Sequence, residues 1–164
     1  MRRHYVRQSE LTMAIDRSHI GVVSEPREID VEKGQLRFFA KATGEINPVY
    51  FDEEAARAAG HPTIPAPPTF LFSLQLGAPA KRGDIFDPEN GIGVDVRRIL
   101  HGEQRFTYHR PIYAGDRMTL TTTTTDIYDK KGGALEFITQ KTQGVNAAGQ
   151  LCVEMQVVTV VRNG

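Results

Sequence analysis

Between Gly44 and Gly60 the chain reads GEINPVYFDEEAARAAG. A carboxylate (Glu45), an amide (Asn47) and a phenol (Tyr50) stand within one short turn, directly ahead of a helix-forming run. Pro48 stiffens that turn, and acid–base chemistry requires side chains held in one geometry. The same residues also fit an Asx-type turn that caps the next helix, with Glu45 in solvent.

Other polar residues offer less. His61 follows the motif closely, in a proline-rich loop where a solvated histidine is the simpler reading. His101 and His109 flank an expected strand, His4 and His19 lie in or near the polar N-terminal region, and no pair has metal-ligand spacing. Arg97, Arg98, Arg105 and Arg110 lie on or beside two expected strands, suited either to phosphates or to a solvated face. Gly91-Ile92-Gly93 lacks the strand–helix context of a dinucleotide fingerprint.

Gly44 to Asp52, with the proline-rich loop and apolar helix behind it, resembles the MaoC family of hot-dog dehydratases and type 2 (R)-specific enoyl-CoA hydratases. HGEQRFTYHRPIYAGD, His101 to Asp116, is similar to that family's strand-and-turn segment. The likeness runs from about Ile20 to Val161. It fits the N-terminal-domain branch, in which APPTF replaces the hydratase His-Gly ahead of the central helix.

The family motif is G-D-x-N-P-x-H, whose Asp and His share the water that is added to, or removed from, an acyl thioester's α,β double bond. Asn47 and Pro48 match it, Glu45 stands at the Asp position and Tyr50 at the His position. Glu45, Asn47 and Tyr50 are therefore the catalytic positions the resemblance implies. A phenol of pKa ~10 is a poor base near neutrality compared with an imidazole at ~6.5. Enolate charge on the thioester oxygen is best met by free amides at a helix N-terminus. Pro67 and Pro68 have none to give, which leaves Thr69 and Phe70 as candidates, with Thr69 also a candidate helix cap. Arg97 and Arg98 are the cations assigned to coenzyme A phosphates.

The resemblance implies a coenzyme A or acyl-carrier thioester as substrate and no separate cofactor. It also implies a homodimer, or a heterodimer with a catalytic MaoC-like subunit. Loss of both proton-handling residues favours the substrate-holding half of a heteromeric (R)-3-hydroxyacyl dehydratase. A self-sufficient hydratase using Glu45, and a hot-dog acyl-CoA thioesterase, are the alternatives.

These side chains need a scaffold, and the chain divides into a helical first half and a strand-rich second half. Asp30 is the expected cap of a helix running to Gly44, and Asp52 of a short helix closed by Gly60. Four prolines between His61 and Pro68 forbid helix there. Phe70, Leu71, Phe72, Leu74 and Leu76 then point all round a third helix, predicting burial on every side. Strands are expected over 92–100, 104–111, 117–128, 134–145 and 151–161, antiparallel because their connections are short. The Thr121–Thr125 run reads as β-branched strand filler. The expected fold is α+β: a single hot-dog domain over 1–164, a curved antiparallel sheet wrapped around a buried central helix. Residues 1–15 are expected as a flexible arm, with Met1 and Met13 both open as the start.

Composition narrows the functional classes. Of 164 residues 40% are apolar, enough for a core without disulfides. Twenty basic side chains balance twenty acidic ones, so the basic excess of a nucleic-acid binder is missing. The lone Cys152 forms no intramolecular bridge, which suits a reducing, cytoplasmic compartment. Arg2-Arg3 has no apolar run behind it, and no segment is apolar for long enough to span a membrane.

Overall fold

The computed structural model describes residues 14–77 and 84–163. The expected arm over 1–15 falls largely outside the described residues, as do His4 and both candidate starts. Five antiparallel strands form one sheet: β1 (Arg27–Asp30), β2 (Ile99–Tyr108), β3 (Arg117–Lys130), β4 (Leu135–Asn146) and β5 (Leu151–Arg162), in the order β1-β3-β4-β5-β2. Helices α1 (Lys33–Ala42), α2 (Glu53–Ala58) and α3 (Phe70–Gly77) all precede β2. This is the expected α+β hot-dog architecture. Among the described residues no helix is long and apolar enough to cross a membrane.

Three local expectations are corrected. Asp30 ends β1 and pairs with Arg117, while α1 begins two residues beyond Val31, with Glu32 at its cap position making no side-chain cap bond. β1 is too short for alternation to announce it, so pairing with β3 decides its state. The expected strands 92–100 and 104–111 are one strand, β2, with a bulge between His101 and Glu103. Gly102 permits that bulge, since a Cβ there would meet the Val158 carbonyl oxygen at 2.9 Å. Residues before Ile99 are instead held in a tight 3-10 turn, Val96–Arg98, capped by Asp95. Finally, α3 is not buried all round: Phe70, Leu71 and Leu74 are buried, but Leu76 is 67% exposed.

The core forms two clusters. The larger gathers Leu36 from α1, Phe70, Leu71 and Leu74 from α3, and Met118, Leu120, Val153 and Met155 from β3 and β5. The smaller, of Val94, Ile127, Ile138 and Val161, lies toward the other ends of β3 and β5. Between them the threonine run continues β3. Thr122 and Thr124 are buried, and the Thr122 hydroxyl lies 2.8 Å from that of Thr142 on β4. The run is strand, as expected, and its inward hydroxyls also build a polar seam.

Burying a leucine side chain contributes ~1.5–3 kcal/mol. Leu36, fully enclosed, is expected to cost about 2–5 kcal/mol when truncated in Leu36→Ala, read as a lowered urea midpoint.

Candidate functional site

Gly44, at φ 75°, ends α1 and turns the chain into the motif. The Glu45 carboxylate folds back onto the loop, where Oε1 accepts from the amides of Ile46 at 2.8 Å and Asn47 at 2.9 Å. Asn47 Oδ1 accepts from Val49 N at 3.1 Å and caps the 3-10 turn Pro48–Tyr50. The Asx-type turn is therefore present, although α2 takes its cap from Asp52. Glu45 is half-buried rather than free in solvent.

Tyr50 is half-buried and lines a cavity of about 370 Å3. Its neighbours there include the Pro65–Pro68 loop, Phe70 and Leu71 of α3, and the segment from Tyr108 to Ile112. Burial raises the Tyr50 phenol above its ordinary 10, and the nearby Glu45 charge pushes it further the same way. At neutral pH the hydroxyl keeps its proton and can donate a hydrogen bond, but it cannot serve as a base.

His61 departs from its expected place in solvent. It is half-buried, lines the same cavity as Tyr50, and sets Nδ1 3.3 Å from the Tyr113 hydroxyl. Its amide bonds back to the Ala56 carbonyl after the positive-φ Gly60. The sequence signal was its position between a glycine helix stop and a proline-clamped loop, a short stiff tether to the motif.

Both candidate oxyanion amides are engaged. Thr69 N donates to the Tyr108 hydroxyl at 2.9 Å, and Phe70 N donates to the Pro67 carbonyl at 3.2 Å. Thr69 sits at φ 69°, in the left-handed region that a β-branched residue rarely adopts. This orientation presents its amide to Tyr108.

At the cavity's outer wall, His109 Nε2 lies 3.3 Å from Glu154 Oε2, while Lys141 Nζ holds Glu154 Oε1 at 2.6 Å. Hydrogen bonds from Lys141 first, then Gln143 and His109, hold the Glu154 carboxyl down at about 2. Arg110 also lines this cavity. Arg97 and Arg98 do not. Arg97 grips Asp95, and Arg98 donates to the Arg162 carbonyl and to Asn163, at the opposite end of β5 from Tyr108. The structure thus gathers Tyr50, Phe70 and His61 around one cavity with Glu45 nearby, and sets Arg97 and Arg98 apart. Among the described residues no group of three or more His, Cys, Asp or Glu side chains is placed to hold a metal ion.

Because the folded-state pKa of Glu154 is depressed, its contribution to stability is complete above the ordinary carboxylate value of 4.5 and fades as pH falls toward 2. Thermal midpoints should therefore drop across that window, and the drop should be shallower in Glu154→Gln.

A family model described as the FAS1-like dehydratase domain region matches residues 18–155. A UPF0336 protein of Streptomyces coelicolor is 46% identical over 112 residues, 68% of this chain and 72% of the relative. Among solved structures, the C-terminally truncated HadBC (3R-hydroxyacyl-ACP dehydratase) complex of Mycobacterium tuberculosis superposes with a TM-score of 0.68 at 27% identity, covering 86% of this chain and 96% of that one. The ChsH1–ChsH2 complex of the same organism gives 0.66 at 26% identity, covering 85% and 88%.

Proposed function

The chain belongs to the MaoC-like hot-dog dehydratases, within the FAS1-like dehydratase region, and we propose that it is the substrate-holding half of a heteromeric (R)-3-hydroxyacyl dehydratase. One observation carries this reading. The motif cavity is intact, but the residue at its base position is a phenol whose proton is held on by burial and by Glu45. Hydration and dehydration need a group near Tyr50 that both takes and gives a proton around neutrality, and this one does neither readily. The engaged amides of Thr69 and Phe70 support the same reading, since an enolate oxygen would have to displace Tyr108 to reach the first of them.

A catalytic partner would supply the missing acid–base pair. HadBC and ChsH1–ChsH2 are themselves complexes of unlike subunits, which supports such a partner. The long edge strand β2 is the natural joint, since its ten residues have β5 beside them on one side only. A homodimer would use the same edge. The ligand in this reading is a coenzyme A or acyl-carrier thioester, no other cofactor takes part, and the reaction belongs to the cytoplasm. In this reading Phe70 borders the acyl head, Thr69 meets it only through its amide bonded to Tyr108, and Arg110 replaces Arg97 and Arg98 as the cation for coenzyme A.

His61 favours a second reading, a self-sufficient hydratase in which its imidazole is the base and Glu45 the carboxylate. Hydration of trans-2-enoyl-CoA by the purified chain separates the two. The first reading expects binding without turnover, unaffected in Glu45→Gln and His61→Ala. Turnover lost in those variants would establish the second.

Restoring the family pair in Glu45→Asp/Tyr50→His should produce weak hydratase activity. Adding Tyr108→Phe to free the Thr69 amide should raise kcat further, by up to ~100-fold if that amide then meets the oxyanion. No gain at either step would place the defect in the cavity rather than in these groups.

A further inference from the structure

A second cavity, of about 320 Å3, lies against the C-terminal part of α3 and the beginning of β2. Its apolar wall comes from Phe72, Leu76, Ile85, Ile99, Leu100 and Val157. Arg27, Gln75, Asp84 and Gln140 border both this cavity and a smaller polar cleft beside it.

Arg27 is the anomaly. It opens β1, and by strand alternation it faces inward with Ile29, which packs on the main core cluster. An inward strand position ordinarily takes a β-branched or aromatic residue. Here it carries a permanent cation with five N–H donors, and the side chain is only 10% exposed. Among the described residues its one ionic neighbour is Asp84, at 3.9 Å, too far for a hydrogen bond. Two polar side chains that border the same cavity have bonds of their own. Gln75 Oε1 accepts from Thr142 at 3.3 Å, and Gln140 Nε2 donates to Thr124 at 3.4 Å. Its guanidinium borders both hollows and has N–H groups to offer to an acceptor that enters the larger one.

We infer that this cavity receives the far end of an acyl group carrying a neutral oxygen acceptor, a ketone or hydroxyl, which accepts from Arg27 while its carbon body lies against α3. The inference deepens the acyl-thioester reading and rests on it for the rest of the ligand. Phe70 and Leu71 face the motif cavity, and Phe72, Gln75 and Leu76 face this one. The two cavities share α3 as a wall and lie toward opposite ends of β2. Asp84 beside Arg27 disfavours a second carboxylate and leaves the uncharged acceptor as the better match.

Isothermal titration of the full chain with dodecanoyl-CoA, a counterpart with a ketone near the tail end, and an ω-carboxyl counterpart tests this directly. The ketone should bind about tenfold tighter than the plain chain, as one hydrogen bond to a charged donor allows. Arg27→Met should abolish that preference without weakening dodecanoyl-CoA binding. Equal binding of all three, a preference that survives in Arg27→Met, or tightest binding by the carboxylate would each overturn the inference. A separate NMR titration of the unaltered chain with cyclohexanone, against cyclohexane, reads the Arg27 Nε–H signal without a thioester or a variant. If no thioester binds, the acyl reading fails. The cavity assignment then stands if cyclohexanone alone shifts that signal and falls if it does not.

Discussion

Two backbone hydrogen bonds, Ala66 N to the Ile112 carbonyl and Ala114 N to the Ile64 carbonyl, clamp the proline-rich loop against the segment entering β3. Much of the site hangs from that clamp. It buries Ile64 completely, sets the end from which α3 starts across the sheet, and brings the loop to one wall of the motif cavity. The prolines remove competing donors and restrict φ, so the loop holds one path with few bonds of its own. His61 before the clamp and Thr69 after it inherit their positions from it.

The residues around the cavity are tied to one another more than they are free for a substrate. Glu45 bonds the amides of its own loop, Asn47 caps the next turn, and Tyr108 holds the Thr69 amide. Burial and the Glu45 charge act in the same direction on Tyr50. In the family pattern, an imidazole at this position would gain from a neighbouring carboxylate, because that charge favours its protonated form. A phenol beside the same carboxylate is held neutral. Tyr50 is thus a hydrogen-bond donor beside Glu45 at the edge of the cavity.

The core shows a similar division. Its two apolar clusters lie toward opposite ends of β3 and β5, and the threonine seam between them gives the sheet face polar anchor points. α3 spans the junction, with Phe70, Leu71 and Leu74 in apolar packing and Gln75 bonded to Thr142. A helix exposed at Leu76 yet buried at Leu74 has one turn set against the sheet and the next beside a cavity.

The sequence alone determined whatever depends on neighbours along the chain. Gly44 and Gly60 stop helices, Asp52 caps α2, the prolines exclude helix, and alternation with short turns defines β3, β4 and β5 as antiparallel. The motif and its departures at Glu45 and Tyr50 were legible for the same reason. Tertiary structure decided what depends on distant partners. β1 is a strand only because β3 pairs with it, and Gly102 carries a bulge inside β2 because the β5 backbone passes close by. His61 faces the cavity because Tyr113, far away in sequence, receives it, and Arg97 and Arg98 lie apart because β2 runs its full length between them and Tyr108. Arg27 reads as an ordinary surface cation until pairing with β3 turns it inward. Local spacing fixes a residue's own conformation, but only pairing and packing fix which other residues it will meet.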